Sequence, residues 1–159
     1  MRDKKVLAVM VSLLAAGAIL AQGESKMKSA PKGGAKAPVI VPAADLKWVA
    51  LSPDTPGVMS ADVWGDHTKG AFRGFTKFPA GFTTPLHTHT NDMWIVVISG
   101  TFIHTPEGKP ESRLGPGSYL FQAGGSYRHT TACDKASECL FFISSPGAFD
   151  IKPVEPAKK

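Results

Sequence analysis

Two histidines separated by one residue are the group in this sequence best suited to binding a metal ion. His87 and His89 lie in the stretch 81–100, GFTTPLHTHTNDMWIVVISG, where a loop broken by glycine and proline runs into an apolar segment. In an extended chain alternate side chains share one face and lie about 7 Å apart along the strand. Imidazole nitrogens at that spacing can bind one ion together, so the pair predicts a metal site.

The spacing of this stretch resembles the first motif of the cupin superfamily, Gly-x5-His-x-His-x3-Glu-x6-Gly. The matching positions are Gly81, His87, His89, Met93 and Gly100. Met93 therefore stands where the family has its glutamate. In cupins this motif supplies three ligands to a metal ion inside a small β-barrel, and the resemblance, which covers residues 43–152, implies the same fold here.

The second cupin motif, Gly-x5-Pro-x-Gly-x2,3-His-x3-Asn, has a counterpart further along the chain. Its places are taken by Gly117, Ala123, Gly125, His129 and Cys133. Alanine and cysteine replace the proline and the asparagine, and three residues separate Gly125 from His129. The resemblance implies that His87, His89 and His129 bind one divalent ion, which could be Fe, Mn, Ni or Zn.

The missing glutamate leaves open what else completes the site. Counted in even steps from His89, Met93 faces the same side, but its thioether is neutral and soft where Fe(II) or Mn(II) usually meets a carboxylate. Asp92 could serve instead only if a bulge turned it inward. Some cupins with dioxygenase activity bind iron through three histidines, so the resemblance favours a three-histidine site with Met93 as an apolar wall.

His104 is a further candidate ligand or acid/base group. If Ser99-Gly100 is a two-residue turn, Ile95 faces His104, and His104 then lies on the metal side, diagonal to Met93. The alternative is a partly exposed histidine near the end of a hairpin. The remaining histidine, His67, is expected to be a structural residue of a loop.

Strand signals are dense in the part of the chain that carries these residues. Glycine and proline separate short runs rich in β-branched and aromatic residues. The predicted strands are 46–51, 61–64, 71–78, 93–99, 101–105, 118–122, 128–132 and 138–144. No internal repeat occurs, so the sequence predicts an all-β, single-domain antiparallel β-barrel of the cupin or jelly-roll type at 43–152.

The two ends of the chain have other patterns. Residues 1–21 combine a charged start with a short apolar run, which predicts a cleaved signal peptide and an exported protein, periplasmic or secreted; an uncleaved membrane anchor is the alternative. Residues 22–42 are rich in Lys, Ala, Pro and Gly and predict a flexible linker. Residues 153–159 form a tail. No second apolar run follows, so no membrane contact is expected after cleavage.

The predicted export bears on the state of the two cysteines. Cys133 and Cys139 flank a polar tip of five residues, and in an exported chain two cysteines most economically form a disulfide. Two buried free thiols are one alternative. Ligation of the metal by Cys133, four residues beyond His129, is another.

The charge of the chain excludes one class of partner. The net charge is +5, but residues 43–152 carry nine basic and ten acidic groups. The predicted barrel is therefore nearly neutral, and no basic patch indicates binding to nucleic acid. A homodimer is implied only by analogy with the family, because many cupins look like dimers that form through sheet edges.

Two classes of function stay open. In the first, a substrate meets O₂ or water at the ion, and the protein is a metal-dependent, dioxygenase-like enzyme acting on a small oxygenated molecule. In the second, it is a non-catalytic protein that binds a small molecule. Arg128, beside His129, could contact an anionic substrate or face solvent. The aromatic residues expected to line an apolar pocket are Phe72, Phe75, Phe78, Trp94, Phe102 and Phe121.

Overall fold

The computed structural model describes residues 37–53 and 55–154, and the compact unit that contains the sheets runs from Val39 to Lys159. The predicted signal peptide lies outside the described residues, as do residues 22–36 of the linker and 155–159 of the tail. The elements are a 3-10 helix at Ala43–Asp45 and the strands β1 (Val49–Ala50), β2 (Met59–Gly65), β3 (Phe72–Phe78), β4 (His87–Thr88), β5 (Met93–Ser99), β6 (Phe102–Pro106), β7 (Ser112–Leu114), β8 (Tyr119–Gln122), β9 (His129–Cys133), β10 (Cys139–Ser145) and β11 (Lys152–Pro153). Within those ranges no helix is long and apolar enough to cross a membrane.

The strands form two antiparallel sheets. The six-stranded sheet has the order β1-β2-β3-β10-β5-β8, and the five-stranded sheet has the order β11-β4-β9-β6-β7. The sheets do not close into one continuous barrel, but they make the jelly-roll arrangement predicted from the sequence. Each of the eight predicted strands overlaps an observed strand, and the three short strands β4, β7 and β11 were not predicted as separate elements.

Strict alternation of side chains builds the core between the sheets. In β5, Met93, Ile95 and Val97 are buried, while Trp94 and Val96 between them are exposed. Strands β3 and β10 alternate in the same way. Burying a side chain of this size contributes about 1.5–3 kcal/mol to the free energy of unfolding. Because one residue of slip would turn each inward side chain to solvent, this pattern also sets the register.

The same alternation corrects half of the predicted pocket lining. Phe72, Phe78 and Phe102 are buried and face the interior, as predicted. Trp94 and Phe121 are directly opposite each other on β5 and β8, and both point out of the sheet. The sixth residue of the prediction, Phe75, packs against Phe142 rather than lining the pocket. Each of these three lies an odd number of positions from an inward neighbour on its own strand.

The predicted hairpin through Gly100 is wrong. Strand β5 pairs with β10 and β8, whereas β6 pairs with β7 and β9 in the other sheet, so the chain crosses between sheets at this point. Gly100 has φ +77°, and a Cβ there would collide with the backbone carbonyl of Glu138. The crossing therefore requires glycine. As a result His104 is paired with Thr131 of β9, not with Ile95.

A disulfide joins Cys133 to Cys139, with the two Cα atoms 5.8 Å apart. Cys133 is the last residue of β9 and Cys139 is the first residue of β10. These strands belong to different sheets, so the bridge links the two sheets at this end of the fold. Both cysteines are buried. Because the sulfur of Cys133 is bonded to Cys139, it is not available as a metal ligand.

Removing the bridge should cost about 2 kcal/mol of unfolding free energy, the value that chain entropy gives for so short a closed loop. The double variant Cys133→Ala/Cys139→Ala, compared with the oxidised parent by urea denaturation, would measure the loss. Metal content should be the same in both, since the bridge provides no ligand. A variant as stable as the parent would show that the bridge contributes nothing to stability.

Candidate metal centre

The pairing of β4 with β9 brings the three predicted histidines together. His87 of β4 and His129 of β9 are Cα partners in the ladder, and His89 lies one residue beyond the end of β4. All three side chains are buried, and their ligand nitrogens lie within 4.8 Å of one another. The ring centroids of His87 and His129 are 4.3 Å apart.

Hydrogen bonds to the main chain fix the orientation of all three rings. Each Nδ1 faces a carbonyl oxygen: that of Pro85 for His87 (2.8 Å), of Asp150 for His89, and of Tyr127 for His129 (3.4 Å). A carbonyl oxygen can only accept, so each Nδ1–H donates to it and each Nε2 presents a lone pair. Metal-binding histidines in proteins are commonly held in this way.

The three Nε2 atoms are arranged as if around a cation. Those of His87 and His89 are 3.1 Å apart. The Nε2 of His129 is buried and has no hydrogen-bond partner among the described residues. Two facing lone pairs repel each other at this separation, and a buried unpaired nitrogen costs about 1–3 kcal/mol. One ion bound by all three nitrogens would remove both costs, so the residues present fit a divalent metal.

The protonation state of these rings also suits a metal. Burial lowers the pKa of His87. It lowers the pKa of His89 to about 4 and that of His129 to about 3, and the neighbouring imidazoles add to the effect. The rings are therefore neutral at physiological pH, which is the state that binds metals.

The positions of Met93 and Asp92 do not follow from counting residues along a single strand from His89. Strands β4 and β5 belong to different sheets, so the count from His89 to Met93 crosses a bend. Met93 is nevertheless buried and lines the same cavity as His87 and His89. One carboxylate oxygen of Asp92 accepts a hydrogen bond from the Gly124 amide at 2.8 Å. Within the described residues, the donor cluster around the three histidines contains no carboxylate.

His104 lies beside the centre. Its ring centroid is 4.9 Å from that of His129, because β6 pairs with β9. Its Nε2 is 2.8 Å from the hydroxyl of Tyr127, and these two rings are stacked. Burial lowers the pKa of His104 to about 4 and raises that of Tyr127. The tyrosine hydroxyl thus occupies Nε2, while Nδ1 of His104 is buried without a hydrogen-bond partner among the described residues. His104 is not one of the three histidines whose nitrogens converge.

Arg128 forms an ion pair with Glu107, with 3.0 Å between the guanidinium and the carboxylate. His129 is turned inward in β9, so its neighbour Arg128 is turned away from the cavity, and it is not among the lining residues. The predicted contact with an anionic substrate is therefore not part of this cavity.

The cavity next to the histidines is small and mostly apolar. The space open to the centres of water molecules is about 40 Å³, enough for roughly three waters. Its apolar wall includes Phe72, Phe78, Phe82, Met93, Ile95 and Phe141. Polar groups come from the threonines and from Gln122, which is buried opposite Met93. No Asp, Glu, Lys or Arg among the described residues lines it.

A second group that could hold an ion consists of Asp62, Asp66 and His67. Some of its donor atoms already have partners, whereas Asp62 Oδ1 and His67 Nε2 are buried without one among the described residues. The Nδ1 of His67 is 2.7 Å from a carboxylate oxygen of Asp62, and the carboxylate of Asp66 is bonded to Thr68 and Lys69. These contacts close a turn after β2.

Asp150 supports the centre, and nothing in the sequence pointed to it. Its carbonyl orients His89, and its carboxylate accepts hydrogen bonds from the amide and hydroxyl of Thr90. Lys152 lies 3.3 Å from the same carboxylate. These residues are about 60 positions apart in the chain, and no local pattern links them. No local pattern in the sequence pointed to Gln122 as a residue of the cavity wall either.

Comparison with known proteins gives the family and the fold. A family model described as "Domain of unknown function (DUF4437)" matches residues 38–159. No curated protein matches the sequence.

Solved structures of the cupin type are similar to this chain. The polyketide cyclase RemF from Streptomyces resistomycificus has a TM-score of 0.60 at 17% identity, over 75% of this chain and 87% of that one. The cupin-2 domain of Rru_A2000 from Rhodospirillum rubrum has 0.58 at 12% identity, over 74% and 81%. The DMSP lyase DddQ from Ruegeria pomeroyi DSS-3 has 0.56 at 19% identity, over 73% and 64%. These similarities show the cupin fold that the two sequence motifs predicted.

Proposed function

Because this chain belongs to the DUF4437 family and has the cupin fold, we propose that it is an exported metal-binding cupin whose three-histidine centre acts on a small oxygenated molecule. The observation that carries the proposal is the convergence of three Nε2 atoms whose rings are all oriented by main-chain carbonyls. The Nε2 of His129 is also buried without a hydrogen-bond partner among the described residues, and a bound ion would give it one.

His87, His89 and His129 would hold the ion through three neutral nitrogens, leaving further coordination positions for a substrate and for O₂ or water. A bound Fe(II), Mn(II), Ni(II) or Zn(II) ion would supply Lewis-acid or redox chemistry. The apolar wall excludes bulk water. Because no charged side chain lines the described cavity, the ion would balance the charge of an anionic substrate.

Other groups could orient the substrate and move protons. The Gln122 amide, which can donate and accept, is one polar group of the cavity wall. The hydrogen-bonded pair of His104 and Tyr127 lies against His129 and is the nearest acid/base candidate. Enzymes among the similar folds, a cyclase and a lyase by name, support a catalytic role, and a dioxygenase-like reaction is one form of it.

A second candidate function is non-catalytic binding of a small molecule. Two observations favour it. Met93, buried in the wall, replaces the acidic ligand of the family motif, and no carboxylate faces the cavity in the described part of the chain. Such a site would bind a metal-coordinating ligand without a strong general base beside it.

Metal analysis of the mature protein, purified without a histidine tag, tests the proposal. We expect about one ion per chain. After loading with Co(II), azide should change the visible spectrum by binding at an open position. A chain that binds no Fe(II), Mn(II), Ni(II), Zn(II) or Co(II) under anaerobic conditions would contradict the metal site. A ligand that co-purifies and is returned unchanged by the metal-loaded protein would favour the binding role over the enzyme.

Export is part of the proposal and rests on the sequence of residues 1–21. Mass spectrometry of protein recovered from the periplasm or the medium should find Gln22, or a near neighbour, as the first residue. An intact Met1 on membrane-bound protein would contradict cleavage and favour the anchor.

A further inference from the structure

One buried polar side chain of the cavity wall has no partner in the described part of the protein. Gln122 lines the cavity together with His87 and His89, and it is only 2% exposed. Within residues 37–53 and 55–154 its amide forms no hydrogen bond. An amide has a carbonyl oxygen that accepts and an NH₂ group that donates, and buried groups of this kind are nearly always paired. The unpaired amide therefore indicates a ligand that the cavity takes up.

Gln122 belongs to a segment that is held against the one that carries His89. It is the last residue of β8 and the Cα partner of Met93, the first residue of β5. Further along the chain, the amide of Gly125 donates a hydrogen bond to the carbonyl oxygen of His89 at 2.8 Å. The two segments approach so closely that a Cβ at Gly124 would collide with the main chain just after His89. These contacts place the end of β8 next to the proposed metal ligands.

The threonine hydroxyls of the cavity wall are less suited to meet such a ligand. Those of Thr84 and Thr131 are hydrogen-bonded to each other at 3.3 Å, and that of Thr55 donates to a main-chain carbonyl. The hydroxyl of Thr76 is buried without a partner among the described residues. Thr76 lies on β3, however, and β10 separates that strand from β5 and β8. The Gln122 amide is thus the better placed of the two unpaired groups.

The charge of the centre favours an anionic ligand. A divalent ion held by three neutral imidazoles would keep two positive charges that its protein ligands do not offset. No Asp, Glu, Lys or Arg among the described residues lines the cavity. A buried charge is stable only with a partner of opposite sign. A carboxylate, whose oxygen atoms bind divalent ions, would supply that partner.

The amide favours a ligand that has a hydroxyl group beside its carboxylate. A carboxylate only accepts hydrogen bonds, so it would pair with the NH₂ group of Gln122 and leave the carbonyl oxygen unpaired. A hydroxyl on the adjacent carbon atom donates, so it would pair with that oxygen. The carboxylate and hydroxyl of an α-hydroxy acid can also bind one ion together. A keto group at the same carbon atom has no proton to donate.

The cavity limits the size of the acid. The space open to the centres of water molecules is about 40 Å³, which is room for roughly three waters or for an acid of roughly two or three carbon atoms. The rest of the wall is mostly apolar, so it suits a hydrogen atom or a methyl group on the carbon that bears the hydroxyl.

We propose, on the basis of the metal site proposed above, that the centre binds a small α-hydroxy acid and that Gln122 determines this specificity. The carboxylate and the hydroxyl of the acid bind at the ion beside the three histidines. The hydroxyl donates to the carbonyl oxygen of Gln122, and the NH₂ group of Gln122 donates to the carboxylate. Both halves of the buried amide are then paired.

Spectral titration of the mature protein loaded with Co(II) tests this. Lactate and propionate differ only in the hydroxyl group, and azide reports the open coordination position without either group. The parent should bind lactate more tightly than propionate. Gln122→Met keeps the length of the side chain but has no amide, so its ratio of the two dissociation constants should fall at least about tenfold. Its affinities for Co(II) and for azide should stay like those of the parent.

Thr76→Val is the matched control. It removes the other unpaired polar group of the cavity wall and keeps the volume of the side chain. This variant should prefer lactate as strongly as the parent does. Near-UV circular dichroism would establish that each variant keeps its fold.

The outcomes separate the ligand from the metal site. Equal ratios in the parent and in Gln122→Met would overturn the role of Gln122, as would a loss of the preference in Thr76→Val. A parent that binds Co(II) and azide but does not prefer lactate would overturn the α-hydroxy acid and leave the metal site standing. A parent that binds no Co(II) would overturn the metal site, and the proposal with it.

Discussion

Replacing His129 with alanine should lower the affinity for a divalent ion by at least about 100-fold. Even changes to residues that only orient a ligand cost about 10–100-fold, and this one removes a proposed ligand itself. Its Nε2 is one of three that converge, and the described residues offer no carboxylate to take its place. His87→Ala and His89→Ala should be as severe. Competition with a fluorescent chelator would measure the dissociation constants. The fold should survive, because the apolar core on the inner face of β5 and β10 is untouched.

Three control variants separate the histidine triad from its neighbours. Met93→Leu keeps the volume of the wall and should keep nearly all the metal. Asp92→Asn should also keep it, because the bond that Asp92 accepts from Gly124 is still available to the amide oxygen. His104→Phe retains the stacked ring and should bind metal like the parent. If Met93→Leu bound as weakly as the histidine variants, Met93 would be a ligand. If all three alanine variants bound like the parent, the centre would not be a metal site.

The metal-free protein should lose stability steeply as the pH falls below about 6.5, the ordinary pKa of histidine. Burial lowers the pKa of His89 and His104 to about 4 and that of His129 to about 3, and it lowers that of His87 as well. The unfolded chain takes up protons on these rings near pH 6.5, whereas the folded chain does not. Below that pH the unfolded state binds more protons, so the free energy of unfolding falls with the pH until the folded rings titrate too.

The expected loss of unfolding free energy at low pH is large for a small domain. Each such histidine removes about 1.4 kcal/mol per pH unit, and total stability is only about 5–15 kcal/mol. Urea denaturation at pH 7.5, 6.5, 5.5 and 5 would follow the loss. The variant His87→Gln/His89→Gln/His129→Gln should show a much shallower dependence. Saturating Zn(II) should move the acid transition of the parent to lower pH, because the ion competes with protons for the folded state. A pH-independent parent would contradict the burial of neutral imidazoles.

The strands and the pair of His87 and His89 could be predicted because they depend on short-range patterns, whereas His129 was assigned to the site through the resemblance of its segment to the second cupin motif. Alternation along β5 identifies Met93, Ile95 and Val97 as one face, and the spacing of His87 and His89 is itself the signal of a chelating pair. The same alternation would have placed Trp94 outside, since it follows Met93 directly. The sequence contains that information, but an aromatic side chain was assigned to the pocket by type rather than by position.

The features that could not be predicted depend on contacts between segments that are distant in the sequence. Whether Gly100 makes a hairpin or a crossing is decided by the backbone of Glu138, which comes near it only after β10 has joined β5. The support that the Asp150 carbonyl gives His89 bridges 61 residues. His104 reached the site through β9 rather than through β5, so a correct location followed from a wrong partner. Spacing along the chain does not encode such contacts.

Strand β9 begins with His129 and ends with Cys133, so the disulfide lies four residues, about 13 Å, from the proposed metal ligand His129. A slip of β9 by one residue along its neighbours would turn His129 out of the interior and bring Thr130 in. The bridge to Cys139 forbids that slip, because it anchors the far end of the strand. Protein made in a reducing cytoplasm would hold its third imidazole only as firmly as the hydrogen bonds of β9 hold the strand.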